Sequence, residues 1–170
     1  MFCYQCQEAA KGTGCEIKGV CGKAPETSNL QDLLLFVVKG ISYYSTQCNE
    51  RSITLDNKTN RFVFESLFAT ITNANFDNAV FTRKIAEGIA IRNDLRKQLE
   101  SKGITFNNAQ LPDAASWNPK SEDEYAIKAL VVGIFLRFHL CFGRTKRRYS
   151  FFKIVIDFWV KRLVSIHGTC

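Results

Sequence analysis

The chain has 170 residues, 46% of them hydrophobic, which is enough for one domain with its own core. Its net charge of +7 is placed unevenly, because residues 1–134 hold 15 Lys or Arg and 15 Asp or Glu, and the other 8 basic residues and one acid lie in residues 135–170. A charge confined to the end of the chain excludes a basic nucleic-acid or anionic-membrane surface for residues 1–134, and no nucleic-acid partner is expected.

Four cysteines lie close together at the start of the chain with the spacing C-x2-C-x8-C-x5-C: Cys3, Cys6, Cys15 and Cys21. Four thiolates without a histidine suit either a tetrahedral structural zinc or a cubane iron–sulfur cluster. Zinc modules usually present two tight cysteine pairs, whereas only the first pair is tight here. The spacing alone leaves iron–sulfur and zinc equally open, with disulfides a distant third.

Glycines and lysines surround these cysteines. Glycines allow backbone N–H groups to approach cluster sulfurs, and the segment contains Gly12, Gly14, Gly19 and Gly22. Three lysines would offset the thiolate charge: Lys11, Lys18 and Lys23. Another cysteine, Cys48, stands alone and is predicted to be a packed core residue.

Helical signals follow the cysteine loop. Ser28 to Gln31 has the pattern of a capping box and predicts a helix running to about Ser45. Its apolar stripe is Leu30, Leu33, Leu34, Val37, Val38 and Ile41. After a polar loop, a second helix is predicted to start near Arg61 and to bury Phe64, Leu67, Phe68 and Ile71.

The longest predicted helix spans Asn78 to Lys102, with Asp77 as its N-cap and Gly103 as its stop. Residues 104–120 carry two prolines and predict a loop, and Ser121 to Glu124 forms a second capping-box pattern. No strand alternation is evident before residue 134. The fold class is therefore predicted as mostly α, with a metal-binding cysteine loop at residues 1–27 and a helical bundle at 28–134.

Four sequence words, MFCYQCQE, GTGCEIKGVCGK, NLQDLLLFVVKGI and LFATITNANFD, occur in order. Together they resemble the amino-terminal part of the hybrid-cluster (prismane) proteins, also called hydroxylamine reductases. The resemblance is dense to about residue 78 and thinner to about residue 134. It implies a [4Fe-4S] cluster on the four cysteines and, because family members are several times longer, an amino-terminal fragment.

The resemblance also implies a redox function. Members of this family reduce hydroxylamine to ammonia at a second, hybrid iron–sulfur–oxygen cluster held by later domains. That hybrid cluster is not expected in this chain, no catalytic residue is assigned, and hydroxylamine or a related small nitrogen oxide would bind only the full-length protein. The first cluster would relay electrons from a redox donor. Two alternatives remain: a stand-alone electron-transfer module and a zinc-stabilised helical interaction domain.

Metal-bound thiolates need a reducing compartment, and the first cysteine is already residue 3, which leaves no space for a signal sequence before it. A cytoplasmic protein is therefore expected. The most apolar stretch, residues 151–164, is interrupted by charges and is a poor candidate for a membrane span, which needs about 20 mostly apolar residues.

Residues 135–170 differ in composition from the rest and are predicted to be an out-of-frame extension. Reading the possible codons of residues 147–162 one base later permits words of the same family, and Trp159, which has a single codon, then yields the glycine that these words need. Four metal-ligand residue types occur in this tail without a recognisable spacing, and no function is assigned to them: His139, Cys141, His167 and Cys170.

Overall fold

The structure is a computed structural model that describes residues 1–6 and 8–142, with side chains as far as residue 133. The chain divides into two units, Met1–Ile134 and Phe135–Cys170. The out-of-frame hypothesis and the four tail residues His139, Cys141, His167 and Cys170 concern residues or side chains outside the described part of the chain.

Five α-helices make up most of the described residues, which confirms the predicted mostly helical fold. They are α1 (Pro25–Glu50), α2 (Asn57–Ile71), α3 (Asn78–Ser101), α4 (Asp113–Ser116) and α5 (Asp123–Phe142). Two short 3-10 turns, Ala10–Gly12 and Asn108–Gln110, lie between them. Over residues 1–6 and 8–142, the β pairing is limited to one isolated antiparallel bridge, between Cys3 and Cys15.

The core is built around α1, which packs against α2, α3 and α4. Five residues of the predicted apolar stripe are completely buried: Leu33, Leu34, Val37, Val38 and Ile41. Cys48, near the end of α1, is also completely buried, as predicted. Because these side chains leave water together, they provide much of the hydrophobic stabilisation of the unit.

The predicted start of α1 is wrong. The helix begins at Pro25, a residue that fits the first helical position because it has no N–H to leave unpaired. Ser28 lies inside the first turn, where its N–H donates to the Ala24 carbonyl at 3.0 Å. The predicted division at residue 27 therefore falls within α1, and the helix also continues five residues beyond the predicted end, to Glu50.

α2 begins earlier than predicted because Asp56 caps it, its carboxylate accepting the N–H of Thr59 at 2.7 Å. The predicted buried face is also wrong: Phe64 and Phe68 are 67% and 55% exposed. The face that packs inward carries small and polar residues as well as apolar ones: Thr59, Phe62, Val63, Ser66 and Thr70.

α3 agrees with its prediction. The Asp77 carboxylate accepts the N–H of Ala79 at 2.9 Å at the start of the helix. At the other end, Gly103 adopts a φ of 83°, a conformation that glycine tolerates best. Residues 102–122 then return across the bundle, mostly as a loop, with α4 as one short helical turn.

Candidate metal centre

Cys3 and Cys15 are held side by side by backbone hydrogen bonds. The N–H of each residue donates to the carbonyl of the other, and both N···O distances are 2.9 Å. Both residues are buried, at 9% and 5% exposure. The bridge therefore brings together the first cysteine of the tight pair and the first of the later single cysteines, twelve residues apart.

The aromatic ring of Phe2 packs against this bridge. Gly14, next to Cys15, has a φ of 133°, and a Cβ at this position would overlap the Phe2 ring. Phe2 is 6% exposed, so its ring covers the buried side of the loop. Tyr4 is more exposed, and its hydroxyl donates to the Gly12 carbonyl at 3.0 Å. Both aromatic residues thus connect the start of the loop to residues 12–14.

Two donors point at cysteine sulfurs. The backbone N–H of Ala10 donates to the Cys15 Sγ at 3.4 Å. The Nζ of Lys23 donates to the Cys3 Sγ at 3.7 Å. Hydrogen bonds of this kind stabilise a thiolate and, around an iron–sulfur cluster, help to set its reduction potential.

The segment around Cys21 is a tight turn. The N–H of Gly22 donates to the Gly19 carbonyl at 2.8 Å, and that of Gly19 donates to the Lys23 carbonyl at 2.9 Å. A Cβ on Gly19 would lie only 3.0 Å from the Cys21 Sγ, so glycine leaves the space that this sulfur occupies. Cys21 and Cys6 are each half-buried, and neither is in a disulfide.

Burial and charge act in opposite directions on Cys3. Burial raises the pKa of its thiol, while the backbone N–H of Gln5 and the Lys23 ammonium lower it, and the charge of Asp32 raises it. Lys23 is completely buried, although lysine is almost never so unless it is paired. The predicted lysines differ in this respect, because Lys11 and Lys18 are exposed.

Asp32, on α1, was not selected as a functional residue from the sequence. It is 4% exposed, its Oδ2 has no hydrogen-bond partner, and burial raises its pKa to about 7 against the opposing effect of Lys23. A carboxylate within the apolar run of Leu30 to Val38 is the only signal of it in the sequence. Lys23 of the loop and Asp32 of α1 are therefore two buried ionisable residues, and the charge of Lys23 opposes the effect of burial on the Asp32 carboxyl.

The donor set fits a thiolate-bound metal centre, because two cysteines are adjacent and buried, one sulfur accepts a backbone N–H and another accepts an ammonium N–H. The structure does not bring all four together as a finished site. Among the residues it describes, no group of three or more His, Cys, Asp or Glu side chains has an arrangement that could hold a metal ion. The assignment of Cys3, Cys6, Cys15 and Cys21 as ligands therefore stays a prediction.

None of the described helices is both long enough and apolar enough to cross a membrane.

Comparison with known proteins shows that the chain matches one protein family. The model of the Prismane/CO dehydrogenase family matches residues 1–142. Over 134 residues, the chain is 52% identical to the hydroxylamine reductase of Desulfitobacterium hafniense (strain DSM 10664 / DCB-2). It is 48% identical to that of Bacteroides thetaiotaomicron and 45% identical to that of Caldanaerobacter subterraneus subsp. tengcongensis over the same length.

These matches are uneven in coverage. Each takes in 79% of this chain, but only 24%, 23% and 24% of the three relatives in the order given. The chain therefore spans about a quarter of the length of the curated relatives it matches.

Proposed function

Since this chain belongs to the Prismane/CO dehydrogenase family, we propose that residues 1–23 bind a [4Fe-4S] cluster through Cys3, Cys6, Cys15 and Cys21. The chain is then the amino-terminal, electron-relaying part of a hydroxylamine reductase. The likeness to hydroxylamine reductases over about a quarter of their length supports this assignment.

The observation that carries the proposal is the pair Cys3 and Cys15, joined by the two 2.9 Å backbone hydrogen bonds, with an N–H donor directed at each sulfur. A purely structural packing of two thiols would not require a buried ammonium beside one of them. An anionic sulfur does require such a charge, because an isolated buried charge is costly.

When bound, the cluster would supply one-electron transfer without binding substrate, since four thiolates leave no open iron position. The chain's own residues hold and shield the sulfurs. Phe2 excludes water from the buried side of the loop, and Ala10 and Lys23 donate to the sulfurs of Cys15 and Cys3. Cys6 and Cys21, which are half-buried, are more exposed to solvent than Cys3 and Cys15 and would be the side that a redox donor approaches.

Reduction of hydroxylamine is proposed only for the full-length protein. The chain alone offers one set of four cysteines in the described residues, and the proposed cluster uses all of them. The hybrid iron–sulfur–oxygen cluster, the substrate and the catalytic residues would belong to the remainder of such a protein. The proposed partner of this chain is a redox electron donor in the cytoplasm.

Anaerobic purification with metal analysis tests the assignment. We expect about four iron atoms per chain and a broad visible absorbance that bleaches with dithionite. About one zinc atom per chain and a colourless protein would instead support a zinc-stabilised helical domain. Turnover of hydroxylamine that tracks the iron content of this chain alone, and survives removal of residues 135–170, would contradict the proposed division of roles.

A further inference from the structure

Lys23 is a buried cation beside one proposed ligand. Its side chain is 0% exposed, and its Nζ lies 3.7 Å from the Cys3 Sγ. Its backbone is fixed independently, because its carbonyl accepts the N–H of Gly19 at 2.9 Å. The turn that contains Cys21 therefore also positions the Lys23 ammonium beside the Cys3 sulfur.

The Asp32 carboxyl is also buried and lies within electrostatic reach of this ammonium and of the Cys3 thiol. Among the charges that act on the Asp32 carboxyl, that of Lys23 has the largest effect, ahead of Lys39 and the N-terminal ammonium of Met1. Asp32 also keeps one oxygen, Oδ2, without a hydrogen-bond partner. Above its pKa of about 7 this carboxyl is ionised, and its negative charge then acts on the Cys3 sulfur.

We propose that Lys23 and Asp32 are positioning residues that set the reduction potential of the centre bound at Cys3, Lys23 raising it and Asp32 lowering it. This rests on the proposed iron–sulfur function. Reduction adds one negative charge at the sulfurs and irons. A buried positive charge stabilises that added charge, and a buried negative charge opposes it.

The location of the pair makes its effect strong. Charges in a buried, low-dielectric environment interact more strongly than exposed ones, which water and salt screen. Lys11 and Lys18 also belong to the cysteine loop but are exposed. The same charge at those positions should therefore have little influence on the centre.

Redox titration of the purified full chain tests this directly. We expect Lys23→Gln to shift the midpoint potential to a lower value, and Lys23→Arg, which keeps the charge, to restore most of it. Lys18→Gln is the matched control and should titrate with the wild-type protein. Asp32→Asn should shift the potential in the opposite direction, measured well above its pKa of about 7, where the wild-type carboxyl is ionised.

The opposite signs separate an electrostatic role from a structural one, because damage to the loop would not raise the potential in one variant and lower it in the other. Equal potentials in Asp32→Asn and wild type would overturn the inference, even if Lys23→Gln binds no iron. Equal potentials in Lys23→Gln, Lys18→Gln and wild type, with full iron content, would also overturn it and leave the proposed function standing. A wild-type chain without iron would remove the proposed function itself.

Discussion

Gly40 on α1 lies against the carbonyl oxygen of Ala114, so close that a Cβ on Gly40 would overlap that oxygen. Two side chains hold the same stretch. The Tyr44 hydroxyl donates to the Ala115 carbonyl at 3.0 Å, and the buried Arg92 donates from Nη1 to the Ala114 carbonyl, also at 3.0 Å. The segment between α3 and α5 is therefore fixed to the two long helices through its backbone.

Gly40→Ala should destabilise the protein because the new methyl group meets backbone, which cannot move aside easily. We expect a loss of roughly 1–3 kcal/mol from overpacking, which exceeds the gain of up to about 1 kcal/mol in helix propensity. Urea unfolding measures the difference.

Gly88→Ala is the matched control within α3. There the new Cβ meets side-chain atoms, Cγ1 of Val37 at 2.8 Å and Cζ of Phe62 at 2.9 Å, which can shift slightly. The Gly88 variant should lose less stability than the Gly40 variant, and the reverse order would mean that the contact with Ala114 is not rigid.

The observed face of α2 makes a second prediction. Phe62 is 3% exposed, and its ring lies 5.6 Å from the Nζ of Lys84, whereas Phe64 is 67% exposed. Phe62→Ala should cost roughly 3–5 kcal/mol, the usual loss for a buried phenylalanine. Phe64→Ala, the matched surface variant, should change stability by about 0.5 kcal/mol or less. Equal losses in thermal unfolding would contradict the observed difference in burial between Phe62 and Phe64.

The sequence predicted α3 well because the signals at its two ends are local. Asp77 caps the turn that directly follows it, and Gly103 adopts a positive φ that glycine tolerates best. The buried face of α2 was predicted wrongly because two different sets of its residues both recur at helical spacing. The predicted stripe consists of large apolar residues, Phe64, Leu67, Phe68 and Ile71, whereas the observed one mixes Phe62 and Val63 with the polar Ser66 and Thr70. Small residues allow α2 to approach its neighbours closely, and that choice depends on tertiary contacts.

The candidate site shows the same division. The spacing of the four cysteines is a local signal, so the loop could be selected from the sequence. Lys11, Lys18 and Lys23 are chemically equal there, and only folding decides that Lys23 is the buried one. The contact of Lys23 with Cys3 spans 20 positions, and Asp32, on α1, has an electrostatic effect on Cys3 and responds to the charge of Lys23. Such long-range placement has no sequence periodicity to reveal it.

A third prediction concerns pH. Burial raises the pKa of Asp32 from 3.8 to about 7 in the folded chain. The folded state holds the Asp32 proton more tightly than the unfolded state does. The stability that this proton contributes is therefore complete below about pH 4 and is lost as the pH rises through about 7. Three pKa units correspond to roughly 4 kcal/mol. Wild type should therefore lose stability relative to Asp32→Asn across this interval, in denaturation curves recorded at equal iron content.

Asp56 provides the opposite control. Its hydrogen bonds with Thr59 lower the pKa of its carboxyl, so its contribution to stability is present above the unfolded pKa and is lost as the pH falls. Wild type should lose stability relative to Asp56→Asn on acidification. If both differences had the same sign, the unusual burial of Asp32 would be contradicted.

A fourth prediction tests the ligand assignment. Cys15→Ser should lose most of its iron, because three thiolates and a weaker hydroxyl hold a cubane poorly. Cys48→Ser changes a completely buried cysteine of α1 and should keep its iron per folded chain, although a buried hydroxyl will lower stability. Iron and protein assays on the folded fraction give the ratio. Equal iron loss in both variants would show that the four-cysteine assignment is wrong.

The last prediction concerns residues 135–170 and follows from their sequence. They carry 8 basic residues and one acid, and apolar residues occupy nearly every side of the stretch that follows the basic run: Phe151, Phe152, Ile154, Val155, Ile156, Phe158, Trp159 and Val160. A segment without one apolar face has no single surface to bury, and its exposure promotes association.

A chain ending at Ile134 should therefore be more soluble than the full chain and should bind the same amount of iron. A chain ending at Phe142 keeps all of α5 and the whole region matched by the family model, so it shows what the end of this helix contributes. Size-exclusion chromatography and iron analysis compare the three proteins. Iron loss in both shortened chains would mean that the tail supports the cysteine loop, and resequencing the gene across residues 130–170 would then have to show an intact reading frame.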